Sequence, residues 1–254
     1  MRTFTKNAIP LAAVALLAAG LTTSVTGASA AEKPSTVSPS IVGGRPVTEN
    51  YPLAVVGGCT GVLVAPRLIL TAAHCLELFQ YRVGTVHSTS GGTVVDGGAW
   101  GLRHPTADIA LFPFAQAVSS PVLPLAKIAP AIGQATRIVG WGLTCPNPGC
   151  GEMPELANEL DTSLVADSKC TNTQLPINNA LESCVKNPGG KNGACYGDSG
   201  GPMLKKVNGA WAVVGVTSRP GDDTGVCGAA PAIYTDTTAP AVHDWLVSTI
   251  AANS

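Results

Sequence analysis

Short apolar or alternating runs follow one another along this chain at intervals of about ten residues and are bounded by Gly, Pro, Ser or Asn. Such runs are typical of β-strands, because a strand needs only a few residues and alternates its faces. The 29 Gly and 20 Pro residues supply the turns between them. The dipeptide Asn208-Gly209, between two runs, indicates a tight hairpin. The predicted strands are 53–56, 61–65, 68–72, 81–86, 93–97, 109–114, 135–139, 160–165, 183–186, 202–207 and 210–217.

Only the C-terminal segment changes to helical periodicity. Pro240 suits the first turn of a helix, and we predict a helix over about 238–252. The Pro-rich stretch 121–130 is the expected crossover between two halves of the strand-rich region. Many short strands followed by one helix indicate an all-β sandwich or barrels, and periodicity does not decide between them. The residues at helical spacing are Val242, Trp245, Leu246, Thr249 and Ile250.

The first forty residues have the features of export and processing. Two basic residues come first, 9–21 is apolar, and Ala-Ser-Ala at 28–30 matches the pattern that a signal peptidase cleaves. A membrane anchor is the alternative reading, but the apolar run is shorter than the ~20 residues that a spanning helix needs. We therefore predict a signal peptide at 1–30, a Pro- and Ser-rich propeptide at 31–40, and a secreted, extracellular protein.

The charge balance argues against an anionic polymer as partner. Fifteen Lys and Arg residues face sixteen Asp and Glu residues, which leaves a formal net charge of −1. Nucleic acid binding usually requires a basic footprint that this chain lacks. No later stretch is long and apolar enough to span a bilayer. We expect neither nucleic acid nor a membrane as partner.

The eight cysteines indicate disulfide bonds, because their number is even and the predicted compartment is oxidising. Cys145 and Cys150 could also be taken for half of a zinc site. Structural zinc needs two further ligands, however, and His87, His104 and His243 have no matching spacing. We expect a small closed loop at this pair and no metal or other cofactor.

Three short motifs together carry the chemistry of amide hydrolysis. They are Thr-Ala-Ala-His-Cys at 71–75, Asp-Ile-Ala-Leu at 108–111 and Gly-Asp-Ser-Gly-Gly-Pro at 197–202. The reaction needs a nucleophile, a base that activates it and a group that orients the base, and Ser199, His74 and Asp108 are the residue types for those roles. Backbone N–H groups converge on an oxyanion only where no side chain intervenes, which favours Gly197 and Ser199 as its donors.

These motifs resemble those of the chymotrypsin-like serine peptidases. The resemblance also includes Ile-Val-Gly-Gly at 41–44, Gly-Trp-Gly at 140–142 and Val-Gly-Val-Thr-Ser at 214–218, and it covers essentially all of residues 41–254. It implies two perpendicular six-stranded β-barrels, at about 41–125 and 126–236, followed by the helix. It also implies a monomeric endopeptidase that cleaves protein or peptide substrates through an acyl-enzyme.

The resemblance assigns roles beyond the triad. The freed α-amino group of Ile41 is expected to pair with Asp198, which orders the oxyanion hole and pocket, so the uncut precursor is expected to be inactive. The cut follows Ser40, so the activating protease is not expected to be trypsin-like. Ser218 is expected to support Asp108. The implied disulfides are Cys59 with Cys75, Cys170 with Cys184 and Cys195 with Cys227, which leaves Cys145 with Cys150.

The implied substrate pocket departs from the family pattern. Gly193 stands at the floor, where trypsin-like members have Asp. Arg219 and Pro220 replace an aromatic residue and Gly, and Pro220 lacks a backbone N–H for an extended substrate. Ala232 replaces a Gly, and its methyl group narrows the pocket. We predict a neutral, small or medium apolar P1 residue for a pocket formed by Gly193, Ala194, Tyr196, Ser218, Arg219, Pro220 and Ala232.

Two alternatives remain open at this point. A trypsin-like enzyme could use Asp223, or its neighbour Asp222, to hold a basic P1 residue. A catalytically silent binding protein on the same fold is the other reading, and only Arg219 and Pro220 favour it. The segment 84–95 lacks the acidic pair of the family's calcium-binding members, so no structural calcium is expected.

Overall fold

A computed structural model describes residues 41–98, 100–147 and 149–254, and the predicted signal peptide and propeptide lie outside the described residues. The described residues form strands, two short 3-10 turns (Asp167–Lys169 and Pro188–Gly190) and one α-helix. The strands are β1 (Arg45–Pro46), β2 (Leu53–Val56), β3 (Cys59–Ala65), β4 (Leu68–Thr71), β5 (Gln80–Thr85), β6 (Thr93–Asp96), β7 (Leu102–Arg103), β8 (Ala110–Pro113), β9 (Ala135–Gly140), β10 (Asn158–Ser163), β11 (Glu182–Val185), β12 (Pro202–Val207), β13 (Ala210–Pro220) and β14 (Ala232–Asp236), and the helix is α1 (Pro240–Asn253).

The first sheet curls into a closed N-terminal barrel. Its antiparallel order is β6-β5-β2-β3-β4-β8, and the two-residue β7 lies beside β8 at the edge. An isolated bridge between Gly97 and Phe114, directly after β6 and β8, joins the two ends of the sheet. Hydrogen bonds from Gly98 N to Pro113 O (2.9 Å) and from Ala115 N to Asp96 O (3.0 Å) support the closure. The barrel therefore has six strands.

The second sheet closes in the same way into a C-terminal barrel. Its order is β10-β9-β12-β13-β14-β11, with β1 at the edge beside β10. A bridge between Leu164, directly after β10, and Val185 of β11 joins the ends. Arg45–Pro46 falls in the range expected for the first barrel but pairs with the second, because the adjacent Ile41 and Val42 are anchored there.

The cores follow from the sequence pattern. Strand β3 is buried along its whole length, and its apolar residues pack inside the first barrel against β4 and β8. Full burial of a side chain such as Leu63 or Phe112 contributes about 2 to 3 kcal/mol. Trp141 is also fully buried and belongs to this core cluster although it directly follows β9 of the second barrel. Apolar packing therefore spans the junction between the barrels.

The helix completes the fold by packing on the first core. Its buried residues are Val242 and Leu246, and Trp245 meets the His104 ring edge-on at 5.3 Å. The helix begins at Pro240 instead of near 238, with Ala239 at the N-cap, and the hydroxyl of Thr238 donates to the carboxylate of Asp236. Within the described residues, no helix has the length and apolar character to cross a membrane. The predicted all-β fold of two barrels and a C-terminal helix is confirmed.

Four disulfide bonds brace the loops around the barrels. The Cys59–Cys75 bond ties the segment after His74 to β3, and the Cys195–Cys227 bond joins the segments before Ser199 and before β14. The structure has the three pairs that the resemblance implies, Cys59–Cys75, Cys170–Cys184 and Cys195–Cys227, together with the remaining pair, Cys145–Cys150.

Candidate active site

Antiparallel pairing of two strands brings His74 and Asp108 together. His74 follows the end of β4 and Asp108 precedes β8, and these two strand ends are adjacent because Thr71 pairs with Ala110. The Nδ1 atom of His74 lies 2.8 Å from Oδ2 of Asp108, and the backbone N–H of His74 donates to Oδ1 at 3.0 Å. The carboxylate therefore fixes both the ring and the backbone of the histidine.

Asp108 is also held by the opposite barrel. The hydroxyl of Ser218 on β13 donates to Oδ2 at 2.7 Å, and the hydroxyl of Thr235 on β14 donates to the backbone carbonyl of Asp108 at 2.9 Å. The register of β13 against β14 shifts between Thr217 and Arg219, which marks a β-bulge at Ser218. A bulge re-aims a side chain relative to its strand. Ser218 reaches Asp108 from this bulge.

The paired groups have shifted pKa values. Burial raises the pKa of Asp108, but the hydrogen bonds from His74 and Ser218 outweigh it, so the pKa of this carboxyl lies below its ordinary value. The hydrogen bond to Asp108 raises the pKa of His74 above its ordinary value, against the opposing effect of burial. At neutral pH Asp108 is ionised, and it favours the protonated form of His74.

A second histidine shapes the turn that precedes Asp108. The Nδ1 atom of His104 accepts hydrogen bonds from the N–H groups of Thr106 (3.2 Å) and Ala107 (3.0 Å). The edge-on contact with Trp245 holds the His104 ring against the C-terminal helix. The sequence indicates a surface or packing residue at His104 and no zinc ligand, and the contact with Trp245 agrees with packing. No pattern in the sequence indicates that His104 accepts these two hydrogen bonds.

Ser199 lies in a tight turn between Cys195 and β12. The N–H of Asp198 donates to Cys195 O (2.9 Å), and the N–H of Gly201 donates to Asp198 O (2.8 Å). Among the described residues, the N–H groups of Gly197 and Ser199 donate to no other group of the chain. The turn therefore presents two unused donors close to the serine hydroxyl, which is the arrangement that an oxyanion needs.

The direction of the Gly197 N–H follows from the peptide that contains it. The carbonyl of Tyr196 accepts a hydrogen bond from Leu143 N at 2.8 Å. In a trans peptide the N–H points away from the carbonyl, so the Gly197 N–H points away from Leu143. Gly197 has φ +100°, a backbone conformation that side-chain-bearing residues rarely adopt. This positive φ angle explains why glycine occupies position 197.

The serine and the histidine are neighbours without a direct hydrogen bond. The sulfur of Cys75, next to His74 in the chain, lies 3.8 Å from the carbonyl oxygen of Ser199. Within the part of the chain that the structure describes, Ser199 Oγ makes no hydrogen bond to His74. Catalytic hydrogen bonds of this kind often form only when substrate is bound. The His74 side chain is 46% exposed, so a substrate can reach it.

A cavity of about 120 Å³ opens beside Ser199. At Gly193 an added Cβ atom would meet only the backbone of Gly228, at 3.5 Å, so a Cβ atom fits there in ordinary van der Waals contact. Tyr234, which sequence reasoning did not single out, also lines the cavity, and burial raises the pKa of its hydroxyl. All seven residues predicted for the pocket line this cavity, namely Gly193, Ala194, Tyr196, Ser218, Arg219, Pro220 and Ala232.

The two acidic residues near the cavity have other partners. Asp223 does not line the cavity, and its carboxylate accepts the hydroxyl (2.6 Å) and the N–H (3.1 Å) of Thr173, which lower its pKa. Asp222 lines the cavity, but its carboxylate accepts the hydroxyl of Thr224 at 2.9 Å. Both carboxylates are thus engaged by threonines of surface loops.

The charge of Arg219 is likewise neutralised locally. Its guanidinium pairs with both carboxylate oxygens of Glu182, one of them at 2.8 Å. It also donates to the backbone carbonyls of Leu175 (3.2 Å) and Pro176 (3.1 Å). Because Arg219 and Glu182 are both largely shielded from solvent, the pair forms a fixed part of the cavity wall.

Asp198 is fully buried below the serine turn. Its carboxylate accepts the N–H of Gly142 (2.7 Å) and of Cys195 (2.8 Å). Burial raises its pKa to about 7, although these two hydrogen bonds oppose the change. A Cβ atom at position 142 would lie 2.1 Å from Oδ2 of Asp198, which explains the glycine there. Ile41 is fully buried in the core of the same barrel.

Taken together, these groups can perform acyl transfer. A histidine is oriented by a partly buried carboxylate, a serine lies beside it in a turn with two unused N–H donors, and an adjacent cavity can hold a side chain. Groups in this arrangement can cleave amides or esters through a covalent acyl-enzyme.

Comparisons with known proteins agree with this chemistry. Residues 41–246 match the family model for Trypsin. The chain is 30% identical over 250 residues to a trypsin-like protease of Streptomyces glaucescens, over 91% of this chain and 88% of that protein. It is 32% identical over 181 residues to chymotrypsin-like elastase family member 1 of Canis lupus familiaris, over 63% of this chain and 69% of that protein. The structure of mouse neuropsin, a serine protease, matches with a TM-score of 0.70 at 26% identity, over 83% of this chain and 100% of that chain.

The chain therefore belongs to the trypsin family and is a serine endopeptidase, a hydrolase of peptide bonds. Its substrates are proteins or peptides.

Proposed function

We propose that the protein cleaves peptide bonds with Ser199 as nucleophile, His74 as general base and Asp108 as the group that orients the base. The observation that carries this proposal is the chain of hydrogen bonds from Ser218 through Asp108 to His74, at 2.7 Å and 2.8 Å. It fixes the imidazole tautomer so that Nε2 is the nitrogen available to a serine hydroxyl.

The reaction then proceeds in two halves. Ser199 Oγ attacks the substrate carbonyl as His74 takes its proton, and Asp108 stabilises the imidazolium without becoming protonated. The N–H groups of Gly197 and Ser199 bind the developing oxyanion, and each such donor is worth about 3 to 4 kcal/mol. His74 next protonates the leaving amine. Water repeats the sequence on the acyl-enzyme and releases the second product.

We infer that the P1 pocket takes a neutral residue of small or medium size. Gly193 places no carboxylate at the floor, and the two nearby carboxylates are engaged by Thr173 and Thr224. A basic side chain would find no unpaired charge there. The methyl group of Ala232 and the paired Arg219 favour a bounded, uncharged pocket.

We also propose that cleavage after Ser40 activates the enzyme. In the full-length chain the Ile41 nitrogen is an amide, so it cannot neutralise the buried Asp198, whose pKa is raised by burial. Ile41 has φ +57°, which for a β-branched residue costs about 1 to 3 kcal/mol. Once the bond is cut, the amine can carry a positive charge and the φ restraint disappears. The freed Ile41 amine and Asp198 then form a buried ion pair.

Secretion as an inactive precursor is consistent with these features. The four disulfide bonds fit an oxidising compartment. We propose that a protease other than a trypsin-like one makes the cut, because the residue before Ile41 is Ser40. We propose a monomer, in line with the family resemblance.

Cleavage of a P1-varied peptide library by protein that begins at Ile41 tests the proposal, with Ser199→Ala as the matched control. We expect turnover at small or medium apolar P1 residues that disappears in the control. Cleavage after Arg or Lys would instead support a trypsin-like enzyme that uses Asp223. A library left intact by protein with a free Ile41 amine would favour a binding protein, for which the missing N–H of Pro220 is the supporting observation.

A further inference from the structure

Thr60 on β3 joins the two barrels at a point that the mechanism above does not use. The residue is fully buried. Its hydroxyl donates to the carbonyl of Gly197 at 2.9 Å and accepts the N–H of Trp141 at 3.2 Å. Both partners belong to the C-terminal half of the chain, whereas Thr60 belongs to the N-terminal barrel. The side chain therefore reaches across the barrel junction.

The backbone of Thr60 holds the same turn from a second direction. Its N–H donates to the carbonyl of Ser199 at 2.9 Å, and its own carbonyl accepts the hydroxyl of Thr71 at 3.0 Å. A Cβ atom added at Gly200 would lie 2.3 Å from that carbonyl, so the serine turn sits directly on this strand. Thr60 is thus held through both its backbone and its side chain.

The hydrogen bond from Thr60 fixes the carbonyl end of the Gly197–Asp198 peptide. The peptide between Gly197 and Asp198 is held at its N–H by the carbonyl of Cys195 (2.9 Å) and at its carbonyl by the Thr60 hydroxyl. The preceding peptide is held by Leu143 through the carbonyl of Tyr196. Gly197 lies between the two peptides at φ +100° and has no side chain to restrict it.

We propose that Thr60 is a positioning residue for the oxyanion hole: its hydroxyl fixes the Gly197–Asp198 peptide so that the Gly197 N–H stays aimed at the substrate carbonyl. Thr60 acts through Gly197 and touches no reacting atom. The inference rests on the proposed function, since it concerns the oxyanion that forms when Ser199 attacks. Preorganised donors stabilise the transition state more than the ground state. Loss of the Thr60 hydroxyl should therefore lower kcat and leave KM nearly unchanged.

The test compares Thr60→Val, which removes the hydroxyl at nearly constant volume, with Thr60→Ser, which keeps it. Thr237→Val is the matched control, because Thr237 is also fully buried and donates to a backbone carbonyl, that of Val213, at 3.3 Å. All variants are prepared to begin at Ile41. Activity is measured on the best peptide of the library, together with inhibition by a peptide aldehyde whose adduct with serine carries an oxyanion.

We expect Thr60→Val to lower kcat by roughly tenfold to hundredfold, below the loss caused by deleting a donor outright, with KM changed by less than about twofold. The affinity for the peptide aldehyde should fall by the same factor as kcat, because the oxyanion of its adduct binds in the same oxyanion hole. Thr60→Ser should stay within about threefold of the unmodified enzyme in both measurements. Thr237→Val should retain kcat.

Several results would overturn the inference. Folded Thr60→Val with full kcat would do so, as would a lower kcat with unchanged aldehyde affinity, which indicates a merely structural role. If Thr60→Val does not fold, Thr60→Ala removes the same hydroxyl with less crowding and is judged by the same two outcomes. Absence of Ser199-dependent turnover in the unmodified enzyme would refute the proposed function itself, whereas full activity of Thr60→Val refutes only the role of Thr60.

Discussion

The hydroxyl of Ser218 lies 2.7 Å from Oδ2 of Asp108, although the two residues belong to different barrels. One hydrogen bond thus couples the docking of the barrels to the orientation of His74, since the same oxygen lies 2.8 Å from the histidine ring. The β-bulge at Ser218 makes this contact possible. The arrangement of Ser218, Asp108 and His74 is consequently a property of the barrel junction and not of either barrel alone.

Removal of this hydroxyl should weaken catalysis more than stability. In Ser218→Ala, Asp108 loses one hydrogen bond that favours its charged form, so we expect kcat to fall by roughly tenfold and the free energy of unfolding by about 1 kcal/mol. Steady-state kinetics and chemical denaturation measure the two effects. Unchanged kcat would show that Asp108 does not need Ser218.

The pH dependence of kcat/KM should report the raised pKa of His74. The base must be neutral to accept the serine proton, so activity is lost as the pH falls through its pKa, which lies above the ordinary 6.5. In Asp108→Asn the ring loses the partner that raises this pKa. The midpoint of the acidic limb should therefore move to lower pH while kcat drops. A midpoint that does not move would contradict the assignment.

The buried Asp198 should make the precursor less stable as the pH rises. Its folded pKa of about 7 lies above the value near 4 of an unfolded carboxyl, so the folded state binds more protons between these pH values. Stability contributed by the protonated form is present at low pH and is lost as the pH rises from 4 to 7, by on the order of 4 kcal/mol.

Denaturation of full-length Ser199→Ala across this pH range measures the effect, with Ser199→Ala/Asp198→Asn as its matched control. The double variant should show a flatter profile, because the amide does not titrate. Parallel profiles for the two proteins would mean that Asp198 is not the responsible group.

A carboxylate placed at the pocket floor should reverse the P1 preference. A Cβ atom fits at position 193 in ordinary contact with Gly228, so Gly193→Asp should accept Arg or Lys and reject apolar P1 residues, with the specificity ratio shifting by at least tenfold. Asp223→Asn is the companion variant and should leave P1 preference unchanged, because Asp223 is bound to Thr173 outside the cavity. Loss of activity on basic substrates in that variant would instead support the trypsin-like alternative.

Much of the fold could be predicted from the sequence, because its strands are short and are separated by turn-forming residues. The Asn208-Gly209 hairpin is confirmed, with φ values of +51° and +85° that suit a tight turn between β12 and β13. Strand β14 was missed, since Ala232–Asp236 is a single short run without alternation. The two-residue strands β1 and β7 are too short to leave a pattern.

The residue types of the site and the support of Asp108 by Ser218 could be predicted, but the other supports could not. His74, Asp108 and Ser199 lie in recognisable motifs. Thr60 and Gly197, in contrast, are 137 residues apart and meet only because the barrels pack together. His104 acts on its own turn through backbone N–H groups, which any sequence supplies. Contacts of this kind depend on tertiary structure and leave no local signal.

Covalent labelling shows whether Ser199 is an activated nucleophile. Protein that begins at Ile41 is incubated with a fluorophosphonate, and intact-mass and peptide mapping locate the adduct. We predict one adduct, on Ser199, that is absent from Ser199→Ala and at least a hundredfold slower in the full-length precursor and in His74→Ala, since an unactivated serine is a poor nucleophile. Equal labelling of the precursor would contradict activation at Ile41, and an unlabelled Ser199 in the cut protein would contradict the catalytic assignment itself.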